Sequence, residues 1–332
     1  MAVIRVDPHH PDPEVIARAA ALLRAGELVA FPTETVYGLG AHALDADAVK
    51  KIYTAKGRPS FNPVIVHVGH ASQARDVAAA WPAEAQRLAD RFWPGPLTLV
   101  LPKRPEVPDE VSAGLPSVGI RVPAHGVAHA LLEAAGIPVA APSANRYTEL
   151  SPTRASHVER ALGTRVAMIL DGGPTAVGIE STVLELSGEQ PVLLRPGMIS
   201  HEALEAVIGP VALPAAPLAG SAPRPSPGMV ERHYAPRARV VLFAPDERLT
   251  AATEAHRLAA EGKTTGALLL APFDAPVRHP LRMPADPAAY AQRLYASLHT
   301  LDAAECEVVF VEMVPDTAAW AGVRDRLERA SR

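Results

Sequence analysis

The sequence predicts an α/β protein in two parts, the first built on a mixed sheet and the second on a small, regularly alternating one. Three observations carry this. Over residues 1–209, helix-period and strand-length apolar runs mix without strict alternation, and several strand-like runs follow one another directly, unlike a purely parallel sheet. Residues 210–236, "PVALPAAPLAGSAPRPSPGMVERHYAP", are rich in Pro, Ala, Gly and Ser and carry no apolar period, the composition of a linker. Residues 237–332 then alternate strand and helix in the order βαβαβα. A chain of 332 residues, 48% of them hydrophobic, has apolar surface for two cores.

The elements of the first part follow from local signals. Asp12 caps a helix with Pro13 at its first position, Val15, Ile16, Ala19, Leu22 and Leu23 on one face, and Gly26 at its end. "LVAFP" is a short buried strand, and "FPTETVYGLG" (31–40) reads as its end running into a glycine-rich bend. "DADAVKKIYTAKG" is a capped helix closing near Gly57, and "PVIVHV" the next strand. "PAEAQRLADRFW" gives a helix begun by Pro82, before the strand "LTLVL". Then come the strand "VGIRVP", a helix through "VAHALLEAAG", the strand "PVAAP", a helix near "RASHVERALG", and the strands "VAMIL", "STVLEL" and "PVLLR". In the second part, "ARVVLF", a helix over 247–260, "GALLLA", a helix through "YAQRLYASLHTL", "CEVVFVEM" and a last helix form a Rossmann-like three-layer unit. It has neither a G-x-G-x-x-G turn nor a G-x-x-x-x-G-K-[ST] loop, and so no visible chemistry of its own.

Bulk composition removes several classes of function. Lys and Arg number 32 against 36 Asp and Glu, a net charge of −4, which argues against a protein that coats nucleic acid but leaves room for a basic cleft. The single cysteine, Cys306, excludes an intramolecular disulfide and a cysteine metal cluster, and its strand-like surroundings make it a core residue. The N-terminus has no apolar signal region, and no run of about eighteen apolar residues occurs; a cytoplasmic protein without membrane contact is expected.

Polar residues gather in five places, all at strand ends or turns, where α/β proteins build their sites. These are Thr33, Glu34 and Thr35 in "PTETVYGLG"; Lys56, Arg58, Ser60 and Asn62 in "KGRPSFNP"; Ser117 and Arg121 in "SVGIRVP"; Ser143, Asn145 and Ser151 in "APSANRYTELSPT"; and Ser181, Thr182 and Arg195 in "GIESTVLELSGEQPVLLRPG". Singly, Lys56 can complement a helix dipole, and Ser143 and Asn145 can serve a turn. Arg121 in an otherwise apolar strand is different, because a buried guanidinium without a partner is expensive. His67 reads as a hydrogen-bonded core histidine, and no H-x-x-x-H or H-x-E spacing accompanies it, so no protein-built metal site is expected. Together, Lys56, Arg58 and Arg195 offer charge-assisted donors for phosphates, and the small hydroxyl residues let backbone amides approach phosphate oxygens. Thr33, His67, Arg121 and Ser181 suit a small zwitterion with a carboxylate and a hydroxyl.

In "FPTETVYGLG", "KGRPSFNP", "SAN", "GIESTV", "LLRPG" and "SPGMVERHYAP", in this order, the chain resembles the long form of the YrdC-type L-threonylcarbamoyladenylate synthases over almost its whole length. The resemblance implies a YrdC-like catalytic domain with a twisted mixed sheet, a linker and a small C-terminal domain. It implies a nucleotidyltransferase that makes L-threonylcarbamoyl-AMP and pyrophosphate from L-threonine, bicarbonate and ATP. That product is the activated donor for threonylcarbamoyladenosine in tRNA, transferred by a separate tRNA threonylcarbamoyl transferase complex; contact with tRNA itself is a further expectation. By position, the resemblance puts Thr33, His67, Arg121, Ser181 and the backbone of Ala141 on L-threonine. It puts Arg58, Asn62, Ser117, Ser143, Asn145, Ser151, Arg195 and Tyr234 on the nucleotide, with Lys56 and Arg58 as the catalytic cations. Mg2+ is expected to come with ATP, since Glu34 and Glu180 are the nearest carboxylates and neither makes a convincing ligand. The linker is expected to fold over the cleft as a lid. This chain departs from its relatives in "SANRYTELSPT", where Tyr147 and Thr148 replace a small pair, which changes the loop that carries Ser151. The competing readings are a module for double-stranded RNA or tRNA, and a carbamoyl-adenylate enzyme of the hydrogenase-maturation kind, whose zinc fingers a single cysteine cannot build.

Overall fold

The computed structural model describes residues 2–214 and 234–332. Strand β1 (Ala2–Arg5) leads to α1 (Pro13–Arg24), whose cap is as the sequence predicts: the Asp12 carboxylate accepts from the amides of Glu14 and Val15. Then come β2 (Val29–Phe31), β3 (Gly38–His42), α2 (Ala46–Lys56) and β4 (Val66–His67). The "PVIVHV" strand is thus shorter than its apolar run, and the glycine-rich "GLGAH" is itself a strand. Gly40 is needed there, because a Cβ would sit 2.9 Å from the Phe31 ring and 3.0 Å from Val139. The middle of the domain holds α3 (Ala83–Phe92), β5 (Leu97–Pro102), α4 (Asp109–Ser112), β6 (Ser117–Arg121), α5 (Gly126–Ala135), β7 (Val139–Ala140) and α6 (Ala155–Leu162). It closes with β8 (Met168–Asp171), β9 (Thr182–Glu185), β10 (Val192–Arg195) and α7 (His201–Ile208).

These ten strands form one sheet in the order β1-β8-β2-β3-β7-β4-β6-β5-β9-β10. Parallel pairs (β1 with β8, β4 with β6, β5 with β9) occur together with antiparallel ones (β2 with β3, β3 with β7, β5 with β6), which is the mixed sheet expected. The order matters for the site, because β4 and β6 are parallel neighbours that set His67 directly beside Arg121.

The second domain comprises β11 (Arg239–Phe243), α8 (Arg248–Ala260), β12 (Thr265–Leu269), β13 (His279–Arg282), α9 (Pro287–Ala303), β14 (Val308–Glu312) and α10 (Ala321–Ala330), with an all-parallel sheet in the order β11-β14-β12-β13. Alternate residues of its strands serve two cores. Val308 and Phe310 pack with Ala251, Ala255 and Leu258 of α8; Val309 and Val311 pack with Tyr290, Leu294 and Leu298 of α9 and Val323 and Leu327 of α10. That is the three-layer arrangement, with β13 as an additional edge strand whose Pro280 an edge tolerates.

The second core does not stop at the domain boundary. Val36, Leu150, Ile179 and Tyr234 belong to it, so α9 and α10 pack against the loops that carry the first domain's polar clusters. The two ends of the linker that are described are both tied down: Ala212 pairs with Val192 of β10, and the Ala235 amide donates to the Thr148 carbonyl at 3.1 Å. Of residues 210–236, on which the lid expectation falls, 215–233 lie outside the described residues. No helix among the described residues is long and apolar enough to cross a membrane.

Candidate active site

The turn between β2 and β3 is built by its own threonines. The Thr33 hydroxyl donates to the Val36 carbonyl at 2.6 Å and accepts from the amides of Thr35 and Val36, closing a tight bend. Thr35 Oγ1 lies 2.8 Å from Thr33 Oγ1 and accepts from Arg121 Nη1 at 2.9 Å. At the end of β6, Arg121 also donates from Nε to the Gly95 carbonyl at 3.1 Å and sets Nη2 2.6 Å from Glu34 Oε1, while Glu34 Oε2 accepts from the Ala124 amide. A guanidinium only 4% exposed thus meets a carboxylate, a carbonyl and a hydroxyl. Beside it, His67 is buried against the edge of Phe31, and its Nδ1 has no hydrogen-bond partner among the described residues. Burial, aided by the Arg121 charge, pushes the His67 imidazole down to about 3. It is therefore neutral at physiological pH.

The end of α2 supplies the next two cations. Gly57 takes the left-handed conformation that ends the helix and turns the chain into "KGRPSFNP". Arg58 donates to the carbonyls of Asn62 and Pro63 and lies 6.0 Å from the centre of the Tyr147 ring. Asn62 Nδ2 donates to the Tyr147 hydroxyl at 3.0 Å. Lys56 points elsewhere: its Nζ is 2.5 Å from the Ser143 carbonyl, 2.6 Å from that of Asn145 and 3.3 Å from Asn145 Oδ1. The ammonium holds the "SAN" loop together, and Asn145 completes it by donating to the carbonyls of Arg146 and Glu149.

The strands β9 and β10 bring the last cluster. Ser181 Oγ is 2.8 Å from Thr98 Oγ1 and accepts from Arg195 Nη2 at 3.2 Å, while Arg195 also donates to the Ser181 carbonyl and to the Tyr234 hydroxyl. Tyr234 is 2% exposed, so the described end of the linker lies inside the site. Next to Ser181, Glu180 accepts from Ser151 Oγ at 2.5 Å on one oxygen, and from Tyr295 of α9 and Arg326 of α10 on the other.

One cavity collects Thr33, Arg58, His67, Arg121, Ala141, Ser143, Ser181, Arg195 and Tyr234, together with Thr35 and Glu180. Residues from all five sequence clusters therefore meet. Lys56, Asn62, Asn145 and Ser151 stand behind this lining as its supports, and Ser117 lies at the opposite end of β6 from Arg121. Sequence reasoning missed Thr35 as the link between Thr33 and Arg121, and it missed the whole contribution of the second domain. For Thr35 the signal was there, in a threonine flanking a buried strand end; for Arg326 and Tyr295 no local motif exists. Among the described residues no three His, Cys, Asp or Glu side chains cluster as a metal site would require; Glu180, which lines the cavity, and Glu34, which lies behind its Arg121, are already bound by Arg326 and Arg121.

Two family models match the chain: one described as "Telomere recombination" (Sua5, YciO, YrdC) over residues 21–197, and one described as "Threonylcarbamoyl-AMP synthase, C-terminal domain" over 199–332. The chain is 45% identical to the threonylcarbamoyl-AMP synthase of Bacillus subtilis over 96% of its own length and 93% of that protein. It is 43% identical to the threonylcarbamoyl-AMP synthase of Pyrococcus abyssi over 94% of its length and 93% of that protein. The crystal structure of P. abyssi Sua5 complexed with L-threonine superposes with a TM-score of 0.94 at 41% identity, covering 100% of this chain and 98% of the other.

Proposed function

Because the chain belongs to the threonylcarbamoyl-AMP synthase family, we propose that it makes L-threonylcarbamoyl-AMP and pyrophosphate from L-threonine, bicarbonate or CO2, and ATP. It is a nucleotidyltransferase that takes the first step of threonylcarbamoyladenosine formation in tRNA. The observation that carries the reading is the meeting of Arg58, Arg121 and Arg195 with His67, Thr33 and Ser181 in one buried cavity. Guanidiniums are the groups suited to carboxylate and phosphate oxygens, and here two classes of anion must be held side by side.

The threonine half is Thr33, His67, Arg121, Ser181 and the Ala141 backbone. His67, being neutral, presents Nδ1 as a hydrogen-bonding group without bringing a charge. The nucleotide half is Arg58, Ser143, Arg195 and Tyr234, supported by Asn62, Asn145 and Ser151, with Ser117 more remote. Threonine's free amine attacks CO2, formed from bicarbonate with loss of hydroxide, and its N–H proton passes to that hydroxide as water, leaving a carbamate. A carbamate oxygen then attacks the α-phosphorus as the bond to the β-phosphate oxygen breaks and pyrophosphate leaves. The nucleophile is the substrate, so the protein's work is orientation and charge neutralisation, in which Arg58 faces the reacting phosphates and Lys56 acts through the loop it holds. With both nearby carboxylates committed to arginines, Mg2+ is expected to arrive bound to ATP phosphate oxygens, where it would spread their charge. We take the cytoplasm as the place of action and a tRNA threonylcarbamoyl transferase complex as the consumer of the product.

Pyrophosphate release from ATP and bicarbonate, with and without L-threonine and with serine as the control, tests this. Release that needs both threonine and bicarbonate is the expected result. ATP binding without threonine-dependent turnover would overturn the assignment.

A further inference from the structure

The second domain has no motif of its own, yet it places a fully buried guanidinium behind the cavity. Arg326 Nε lies 2.7 Å from Glu180 Oε2, Nη2 donates to the Glu180 carbonyl at 3.3 Å, and Nη1 donates to the Pro196 carbonyl at 3.0 Å and to Asp325 at 2.6 Å. Its guanidinium carbon is 5.3 Å from the centre of the Tyr234 ring. The Tyr295 hydroxyl donates to the same Glu180 oxygen at 3.0 Å.

Glu180 is the one carboxylate among the described residues that line the cavity. A bare carboxylate next to Ser151 and Arg195 would repel the phosphates this half of the site is built to take. Domain docking by itself does not account for the pair. The seam already has an apolar core of Val36, Leu150 and Ile179 against Tyr290, Leu294 and Val323, and a buried ion pair commonly adds little to stability over apolar packing. We propose that Arg326 is a positioning residue for the nucleotide: it cancels the charge of Glu180 and fixes the Glu180–Ser151 hydrogen bond, so that the second domain is an electrostatic part of the active site. The inference rests on the function proposed above.

Around Glu180 stand Arg326, with its partner Asp325, and Tyr295 from the second domain, Arg195 from β10, Ser151 from the loop before α6, Tyr234, and Lys56 at the end of α2, whose charge reaches it. Burial alone would raise the Glu180 carboxyl; the charges of Arg326 and Arg195 and the Ser151 hydrogen bond outweigh it and hold it below the usual carboxylate range. Without Arg326 the largest of the charges that oppose burial is gone, so the carboxyl ionises at higher pH than in the wild type, and repulsion of ATP should grow as pH rises.

The test compares the full-length wild type with Arg326→Met, Glu180→Gln, the double variant and Arg326→Lys, measuring melting temperature and the KM for ATP and for threonine between about pH 6 and 9. Threonine- and bicarbonate-dependent pyrophosphate release by the wild type comes first; its absence removes the functional reading and this inference with it. Given that release, Arg326→Met should raise the ATP KM by about tenfold or more, increasingly with pH, while the threonine KM changes by less than about threefold. The double variant should return the ATP KM to within about threefold of wild type and remove the pH trend, and Arg326→Lys should stay within the same range. An unchanged ATP KM in folded Arg326→Met, or a parallel rise of both KM values that Glu180→Gln does not rescue, overturns the proposal. If Arg326→Met does not fold, the double variant decides: folded with near-wild-type ATP KM it supports the proposal, otherwise it refutes it.

Discussion

Replacing Lys56 by Met keeps the length of the side chain and removes only its charge and donors, which makes the variant a direct question about what the ammonium does. In the structure it is 3% exposed and meets the Ser143 and Asn145 carbonyls and Asn145 Oδ1 at 2.5, 2.6 and 3.3 Å. Leaving a buried acceptor without its donor costs about 1–3 kcal/mol, so losing all three should cost roughly 3–9 kcal/mol. With a slope of about 3 kcal/mol per molar urea, the upper end of the small-protein range and suited to a longer chain, the unfolding midpoint should fall by on the order of 1–3 M. Activity should follow the loop. Ser143 lines the cavity and is held through its carbonyl, so the ATP KM should rise by about tenfold or more while kcat falls by less. Urea unfolding followed by fluorescence, together with the pyrophosphate assay, reads both. A Lys56→Met protein with wild-type midpoint and ATP KM but kcat lowered by about a thousandfold would refute the supporting role and put the ammonium on the reacting phosphate.

Three further outcomes are expected. Gly197→Ala would put a Cβ 2.5 Å from the Thr182 amide nitrogen and 2.9 Å from the Ser181 carbonyl carbon; relief must move Ser181, costing about 1–3 kcal/mol and raising the threonine Kd in calorimetric titration. Thr35→Val removes the hydroxyl that joins Arg121 to Thr33, so the threonine KM should rise by about tenfold with the ATP KM little changed; equal rises in both would argue against two separate half-sites. His157 and His299 stack at 3.8 Å where α6 meets α9. Burial, aided by the charges of His299, Arg160 and Arg154, pushes His157 down to about 3, and burial pushes His299 down to about 4 against the hydrogen bond to the Ser151 carbonyl, with Arg160 adding to it. Their folded pKa values lie below the unfolded one, so the stability they contribute is present above about pH 6.5 and is lost as pH falls toward 4 and 3. Melting temperature should drop across that window in the wild type and less steeply in His157→Phe; parallel curves would refute it.

What could be read from the sequence was whatever is written locally. Asp12, Pro13 and Gly26 bracket α1, and Gly57 ends α2, because caps and left-handed glycines act within a few residues of themselves. The five polar clusters were legible for a related reason, since charged and hydroxyl residues beside short apolar strands have few structural uses. Their convergence was not legible from spacing, because it depends on the sheet order that sets β4 next to β6 and β5 next to β9. Strand β3 was read as a bend because two glycines outweigh a short apolar run, when in fact they make room for Phe31 and Val139. α7, "HEALEAVI" capped by Ser200, was overlooked, although its capping hydrogen bond is of the ordinary kind. Arg326 could not be found at all. In "AGVRDRLERA" it is one of several arginines on a polar helix, and only the packing of α10 against the first domain singles it out.

That packing also explains how so much positive charge survives in one buried place. Arg58 is held by the carbonyls of Asn62 and Pro63, Lys56 by those of Ser143 and Asn145, and Arg195 donates to the Ser181 carbonyl, the Ser181 hydroxyl and the Tyr234 hydroxyl. Neutral acceptors satisfy the hydrogen-bonding demand of a buried cation without cancelling its charge, and so leave its field for an incoming anion. Where carboxylates do enter, each is bonded to its own guanidinium, Glu34 to Arg121 and Glu180 to Arg326, and neither is bonded to Arg58 or Lys56, although the Glu180 charge still reaches Lys56. A cavity arranged this way is under-neutralised when empty and approaches balance when a polyanion fills it. High phosphate should therefore raise the melting temperature of the wild type more than that of Arg58→Gln. The same shift in both would mean that the charge of Arg58 is not what the ligand meets.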